Sequence, residues 1–493
     1  TGGSAVVISN STIGGAGVTL QSASSVGGSA DGIILDSAGG GGFTVTGTAS
    51  TAGSGGTIAN KTGADGLTLQ GNGVYINATS NVSLDNMSIT GNANHGVLGN
   101  NVTGFTLTDS SLSGNGSSLA EGGVVFNGLF GTSALLGDVI GGSAGDNVRV
   151  TNSAGALNLT IADSASDQAI VGTVNNVTGN DGVHLETSGA ASLTAMINGV
   201  DFQGARSDLL ETNALGNSTH NITITDSHFN NLQTNTASGG GGVVLRGGGT
   251  SSNITVDYHI LNSTFTGAEG SAINSVYTAA AGTIRGHIEG NVIGINDGVA
   301  GSQGSSGGDG ITTGLDQSTG PGHATYLLDL VNNSIQDIAQ GAGGIAIRSN
   351  GGGAGDGAVV EATLTGNSVD ELGDFTGAAL YALVGGSAGS GDFAKLGLSL
   401  HNNVFNASDA GFGDNAIWLD QVSTDAHFYF PGYTGSADGE YNGGTASVDL
   451  NAFLTDPSHA NILSNGAFPS FPGGVDAGIV SGVTGDPFGF PIP

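Results

Sequence analysis

Leu330-Val331-Asn332-Asn333-Ser334-Ile335 decides how this chain reads. The order is apolar, any, Asn/Asp/Gly, any, any, apolar. It returns at 8–13, 84–89, 107–112, 135–140, 197–202, 224–229, 260–265, 288–293, 364–369 and 400–405. A degenerate copy starts at Ile161, where Ser166 replaces the last apolar residue. The third column contains Asn10, Asn86, Asp109, Gly137, Asp163, Gly199, Asp226, Asn262, Gly290, Asn332, Gly366 and Asn402. Only Asn, Asp and Gly occur there, and these residues tolerate a left-handed backbone. Each copy therefore predicts a strand, a tight turn and the opening of another strand.

A second pattern is Gly followed by alternating apolar residues, as in Gly66-Leu67-Thr68-Leu69, Gly182-Val183-His184-Leu185, Gly242-Val243-Val244-Leu245 and Gly344-Ile345-Ala346-Ile347. Alternation predicts Leu67 and Leu69 inward and Thr68 outward. From Leu84 onward the motif starts lie 23 to 42 residues apart, a period that indicates a solenoid or a propeller. Short strands and one-residue turns favour parallel coils that bury a continuous apolar column. The expected fold is an all-β, right-handed parallel β-helix of roughly 13–16 coils at the strand spacing of stacked sheets. The Gly-rich stretches at 301–309 and 350–357 read as loops, because the register resumes after each. The β-helix is expected over residues 1–430. Residues 431–493 read as a cap with a short helix at 445–454, N-capped by Thr445 and ended by Asp456-Pro457, then a Pro/Gly-rich tail.

Composition narrows the function. With 40 acidic and 7 basic residues the formal net charge is −33, which repels nucleic acid and anionic membranes. An acidic polysaccharide would be repelled too, unless calcium bridged the two surfaces. No cysteine is present, so disulfides and thiolate chemistry are excluded. No apolar run is long enough to span a membrane as a helix. The chain opens in sequence that already looks like repeat, so it is expected to be part of a larger polypeptide.

The Asn-rich turns and Gly-apolar strands resemble the parallel β-helix repeats of pectin-lyase-like proteins. More narrowly they are similar to bacterial cell-surface β-helix proteins and autotransporter passengers, and Phe430-Pro431-Gly432-Tyr433-Thr434-Gly435 looks like the end segment of some such repeats. The resemblance implies an extracellular, adhesive or scaffold-forming protein, with some relatives that cleave polysaccharides. It carries the fold further than the function, because β-helices host many functions.

The chemistry is sparse. The clustered aspartates, Gly-His-Gly and Arg-Ile-Lys motifs that polygalacturonase-like enzymes share are absent, and Asn94-His95-Gly96 has no catalytic carboxylates beside it in sequence. One outward face concentrates charge. Register puts Asp257 beside Arg285 and His259 beside His287, with Asp329 in the same column as the two histidines. This reads as cross-strand ion pairing, or as a shallow ledge for a glycan or weakly held metal. Aspartate also recurs before the Gly-apolar strands, at Asp31, Asp65, Asp181 and Asp309, with Asp146-Asn147 and Asp414-Asn415 as variants. Asp-Gly is first a turn signal; the alternative is a set of calcium sites. The expected function is a non-enzymatic extracellular adhesin, passenger or scaffold whose loops contact surfaces, glycans or other cells. The alternative is a β-helix that binds or cleaves neutral polysaccharide.

Overall fold

The computed structural model describes residues 2–48, 51–165, 168–172, 180–231, 240–295, 297, 302–316, 324–351, 357–370, 372–389, 391–407, 415–437, 447–470 and 478–483. A single coil shows how the fold is made. Strand Val74–Asn77 ends at Ala78 (φ 44°), strand Ser80–Asp85 ends at Asn86 (φ 56°), and strand Met87–Thr90 leads back to the next coil. The next coil repeats this with Val97–Thr108 and Ser111–Ser113, in parallel register: Val97 on Val74, Leu107 on Leu84 and Leu112 on Ile89. Val74, Ile76, Val82, Leu84, Met87 and Ile89 point inward and are buried. The architecture is a parallel β-helix. Among the described residues no helix is long and apolar enough to cross a membrane.

The chain divides into two compact units, Thr1–Asn213 with Thr219–Gly240, and Ala214–Ser218 with Gly241–Pro493. Each coil contributes one third strand. In the first unit these are Ser25–Val26, Gly56–Ala59, Met87–Thr90, Ser111–Ser113, Val139–Gly141, Ile170–Val171, Asp201–Gln203 and His228–Asn230. In the second they are Thr264–Thr266, Val292–Ile293, Ser334–Ile335, Ser368–Val369, Val404–Phe405 and Ile462–Leu463.

Most of the turn column is left-handed as its residue types require, with φ of 56° at Asn86, 49° at Asp109, 50° at Asp226, 49° at Asn262, 52° at Asn332 and 55° at Asn402. Two copies depart from the expected register. Asn10 is left-handed (φ 50°), but Ser9 pairs with Asp36, which pairs with Asn77. Asn10 therefore occupies the corner of Ser37 and Ala78, after the first strand rather than the second. Asp163 is not left-handed; its Oδ1 accepts from the N–H of Ala169 at 2.7 Å. The third strand of that coil is delayed to Ile170–Val171, and Ser166 lies outside the described residues.

The column that follows the turn was not singled out in the sequence, and it holds the second unit together. Asn291, Asn333, Asn367, Asn403 and Asn461 form a buried ladder. Each Oδ1 accepts the backbone N–H of the corresponding residue in the preceding coil, at 2.9–3.1 Å, starting with Ser263. Each Nδ2 donates to a carbonyl of the preceding coil, those of Ile260, Ile288, Leu330, Leu364 and Leu400, at 2.8–2.9 Å. The first unit uses Ser110, Asp138 and Ser227 as acceptors in this column. Asp138 Oδ1 accepts from Ser110 N, but its second oxygen is buried with no hydrogen-bond partner. Burial, with the charges of Asp109 and Asp85, raises the Asp138 carboxyl well above its usual range.

Three further expectations change. Leu67 and Leu69 are exposed, at 44% and 51%. The strand of that coil starts at Val74, and Gly66–Leu69 belongs to a loop held by Asn72 and Asn94, whose Nδ2 groups donate to the Leu67 carbonyl at 3.4 and 3.2 Å. In two of the other Gly-apolar strands the middle residues, Val244 and Ala346, are buried as well. In the C-terminal region the helix is Val448–Thr455, capped by Ser447, whose Oγ accepts from Leu450 N; Thr445 lies outside the described residues. The coils also continue past residue 430. Ile462–Leu463, Ala467–Ser470 and Ile479–Val480 pair in parallel with Val404–Phe405, Asn415–Ser423 and His427–Tyr429.

Asn367→Ala removes the acceptor for Asn333 N–H and the donor to Leu330 C=O. Each buried group left unpaired costs about 1–3 kcal/mol, and urea unfolding is expected to show a loss of that order or more. Asp138→Asn supplies a donor where the unpaired oxygen stands. Because the folded carboxyl titrates above its unfolded value, wild-type stability falls as pH rises through the folded value. The variant is expected to be more stable than wild type at pH 7, with the difference vanishing in acid.

Candidate functional site

The corner before the first strand explains the recurrent aspartates. Asp31 Oδ1 accepts from Asn72 N at 2.8 Å, Asn72 Oδ1 from His95 N at 3.2 Å, and His95 Nδ1 from Gly122 N at 3.2 Å. Further along, Asp146 Oδ1 accepts from Asp181 N at 3.0 Å, and Asp181 Oδ1 from Asp208 N at 3.1 Å. In the second unit Asp309 Oδ1 accepts from Gly343 N at 3.0 Å and Oδ2 from Thr312 Oγ1 at 2.6 Å. One oxygen of each is thus committed to joining coils. Asp65 stands apart in the exposed loop, accepting from Ser117 Oγ at 2.9 Å. Desolvation pushes Asp31 up to about 6 and His95 down to about 4. A neutral imidazole is what lets His95 Nδ1 act as an acceptor. Asp414 lies outside the described residues.

At one stretch of this corner, in the first unit, ionisable groups converge. Asp146, Asp181 and His184 each bring a ligand atom within 4.8 Å of the others, and so do Asp181, Asp208 and Glu211. Asp181 Oδ2 lies 3.0 Å from His184 Nδ1, Glu211 Oε2 lies 3.8 Å from the same nitrogen, and Asp146 Oδ2 lies 3.4 Å from Arg149 Nη1. Burial alone would lower His184, but the hydrogen bond to Asp181 and the charges of Glu211, Asp181 and Asp146 raise it. Burial and the charge of Asp181 raise Asp146. The Arg149 guanidinium, and His184 when it is protonated, supply positive charge here, so a divalent cation would have to compete with them for the carboxylates. Among the described residues, Asp31, Asp65 and Asp309 join no such group. Of the residues that converge here, the turn pattern marks Asp181 and, as a variant, Asp146. The remaining signal was a repeat read as Asp-x-apolar-[Arg/His/Glu], in 146–149, 181–184 and 208–211.

The outward ledge lies in the second unit. Register pairs Asp257 with Arg285, His259 with His287, and His287 with Asp329. His287 is bracketed: Nδ1 is 3.0 Å from Asp329 Oδ2 and Nε2 is 2.9 Å from Glu289 Oε2. Both ring nitrogens therefore face carboxylates. His259 Nε2 is 3.3 Å from Asp257 Oδ1, and the two imidazole centroids lie 5.7 Å apart. Burial raises Asp329, while His287 lowers it. Arg285 is exposed. Glu289, which completes the bracket, is two residues along the strand from His287 and on the same face.

A third arrangement had no sequence-level prompt. In the second unit Tyr381 pairs with Trp418, and Leu383 with Asp420, on adjacent coils. Tyr381 and Trp418 are outward and half-buried, with centroids 5.7 Å apart at 89°. Tyr381 Oη donates to Asp420 Oδ2 at 2.8 Å. Arg348 sits in register with Leu383 on the preceding coil. Desolvation and the Asp420 carboxylate raise the Tyr381 phenol far above its ordinary value, so it stays a donor.

Comparison of the chain with protein-family models, curated proteins and solved structures gives no match. The fold class is defined by the coils, and any functional reading rests on the residues just described.

The His184 cluster has a pH signature. A folded value above the ordinary 6.5 means its stabilisation is complete below that value and is lost as pH rises through the folded one. The thermal midpoint is expected to fall as pH is raised from about 6 toward 8, and His184→Gln to flatten that fall. An unchanged slope in the variant, or a midpoint that tracks millimolar calcium instead of pH, would show that His184 is not the neutralising group.

Proposed function

We propose that this chain is a non-enzymatic extracellular surface protein, a β-helical adhesin, passenger or scaffold that works by contact. The observation that carries this reading is how the polar columns are used. The corner aspartates each give an oxygen to the backbone of a neighbouring coil. His287 has both ring nitrogens engaged by carboxylates. A glycoside hydrolase needs two carboxyl groups opposed across a scissile bond, one free to donate a proton and one free to attack or activate water. Carboxylates tied to the next coil serve stacking instead. The net charge of −33 supports a soluble, mutually repelling surface in an aqueous exterior.

Two measurements test this together. The purified chain is incubated with neutral polysaccharides and new reducing ends are assayed, and beads coated with it are washed over glycan, matrix-protein and cell surfaces. No product and measurable retention on at least one surface are expected. Product release would replace the contact reading with an enzyme; retention nowhere would remove its basis.

A further inference from the structure

We propose that Tyr381, Trp418, Asp420 and Arg348 form a binding patch for a neutral oligosaccharide on the outward face of the second unit. This deepens the contact reading and rests on it. The observations are the register, the ring geometry and the chemistry of the rim.

Elsewhere the large aromatic side chains are mostly core. Phe105, Phe126, Phe202, Phe229, Phe265, Phe405, Tyr258, Tyr277 and Tyr326 are fully buried. Tyr381 and Trp418 lie on the other face of their strands, between inward neighbours Leu380, Ala382, Ile417 and Leu419, all fully buried. Nothing in the coil core requires an aromatic residue at either place; Ala346 occupies the same column one coil earlier, in register with Tyr381. The residues beneath are small. A Cβ on Gly377 would stand 3.5 Å from Trp418 Cε3, and one on Gly343 3.1 Å from Tyr381 Cβ. The Trp418 ring thus stands against the Gly377 backbone, and the two rings are set at 89° to one another.

The rim chooses the occupant. The aliphatic C–H face of a pyranose packs on an aromatic ring, whose face is electron-rich. Its hydroxyls need acceptors and donors set beside that ring. Asp420 offers carboxylate oxygens, one of them already aligned by Tyr381 Oη at 2.8 Å. Arg348 offers a planar fork of donors, and it is one of only 7 basic residues in the chain. A few polar groups around an aromatic surface is the usual composition of a small-molecule site. A polyanionic glycan is disfavoured by the −33 net charge and by Asp420. A neutral sugar meets neither penalty.

The chain has a single tryptophan, so tryptophan emission, excited selectively over tyrosine, reports on Trp418 alone. The full chain is titrated with cellohexaose, mannohexaose, laminarihexaose and xylohexaose, and binding is measured in parallel by calorimetry. A saturable emission change with at least one of them is expected. Trp418→Ala and Asp420→Ala, each checked for an unchanged β-sheet circular dichroism spectrum, are expected to bind at least tenfold more weakly; Tyr381→Phe, which keeps the ring and loses the hydroxyl, is expected to fall between. No response to any of the four sugars, or equal affinity in folded Trp418→Ala, overturns the patch. If coated beads still adhere to a surface in that case, the contact reading stands without it. If neither the sugars nor any surface is bound, both fall.

Discussion

Every coil of this protein must satisfy its neighbour's backbone at the corners, where the strand ladder is interrupted. The interaction that does so is a buried side-chain oxygen accepting a backbone N–H one coil away. In the second unit it is the asparagine series from Asn291 to Asn461, which also returns an amide donor to a buried carbonyl. An unpaired buried N–H or C=O costs about as much as a whole hydrogen bond gains. Asparagine is suited to the position because one short amide holds both a donor and an acceptor. Serine at 110 and 227 supplies the acceptor alone. Aspartate at 138 supplies it together with an oxygen that has no donor to meet.

The same solution recurs at the corner before the first strand, with oxygens of Asp31, Asn72, Asp146, Asp181 and Asp309 and the ring nitrogen Nδ1 of His95. Fixing both corners through side chains frees the segments between them. Loops of unequal length then leave the coil without disturbing its register. The delayed third strand at Ile170–Val171 still pairs with Val139–Gly141 before it and Asp201–Gln203 after it. Length variation that would break a sheet built on hairpins is absorbed here, because register is set coil by coil rather than by turn length.

The left-handed column was legible because backbone sterics restrict which residues stand there, and that restriction survives in a single sequence. The neighbouring ladder was equally present but harder to see, since Asn, Ser, Asp, Val and Met share its positions. Asn10 was placed at the wrong corner for a related reason. Both corners demand the same turn chemistry, so Asn10 beside Ile8 looks like Asn86 beside Leu84, and only the pairing of Ser9 with Asp36 separates them. Leu67 and Leu69 show the limit of alternation, since a loop crossing the surface can carry the same pattern as a strand. The Asp-x-apolar-[Arg/His/Glu] pattern marks the residues that converge at Asp146, Asp181, Asp208, His184 and Glu211, but that they meet depends on those copies standing one coil apart. Of the ledge, the pairs Asp257–Arg285 and His259–His287 followed from counting residues back from the motif; the second carboxylate on His287, that of Glu289, did not.

The outward position of the first strand is where the fold leaves residue identity open, and its occupants sort by what surrounds them. In the first unit Tyr75, Leu98 and Val125 fill it and are buried, with Ile34 packed against them, so apolar side chains there behave as an outer core. Arg149, His184 and Glu211 fill the following coils and are tied to neighbouring charged groups in half-buried contacts. Each of those groups is accounted for by stability. Tyr381 and Trp418 in the second unit fit neither pattern: they keep part of their surface in water, and a carboxylate and a guanidinium stand in the adjoining column. Apolar rings left in water forgo burial that the same residues would gain inside. An arrangement that forgoes it while keeping donors and acceptors alongside is organised for something that is not part of the coil.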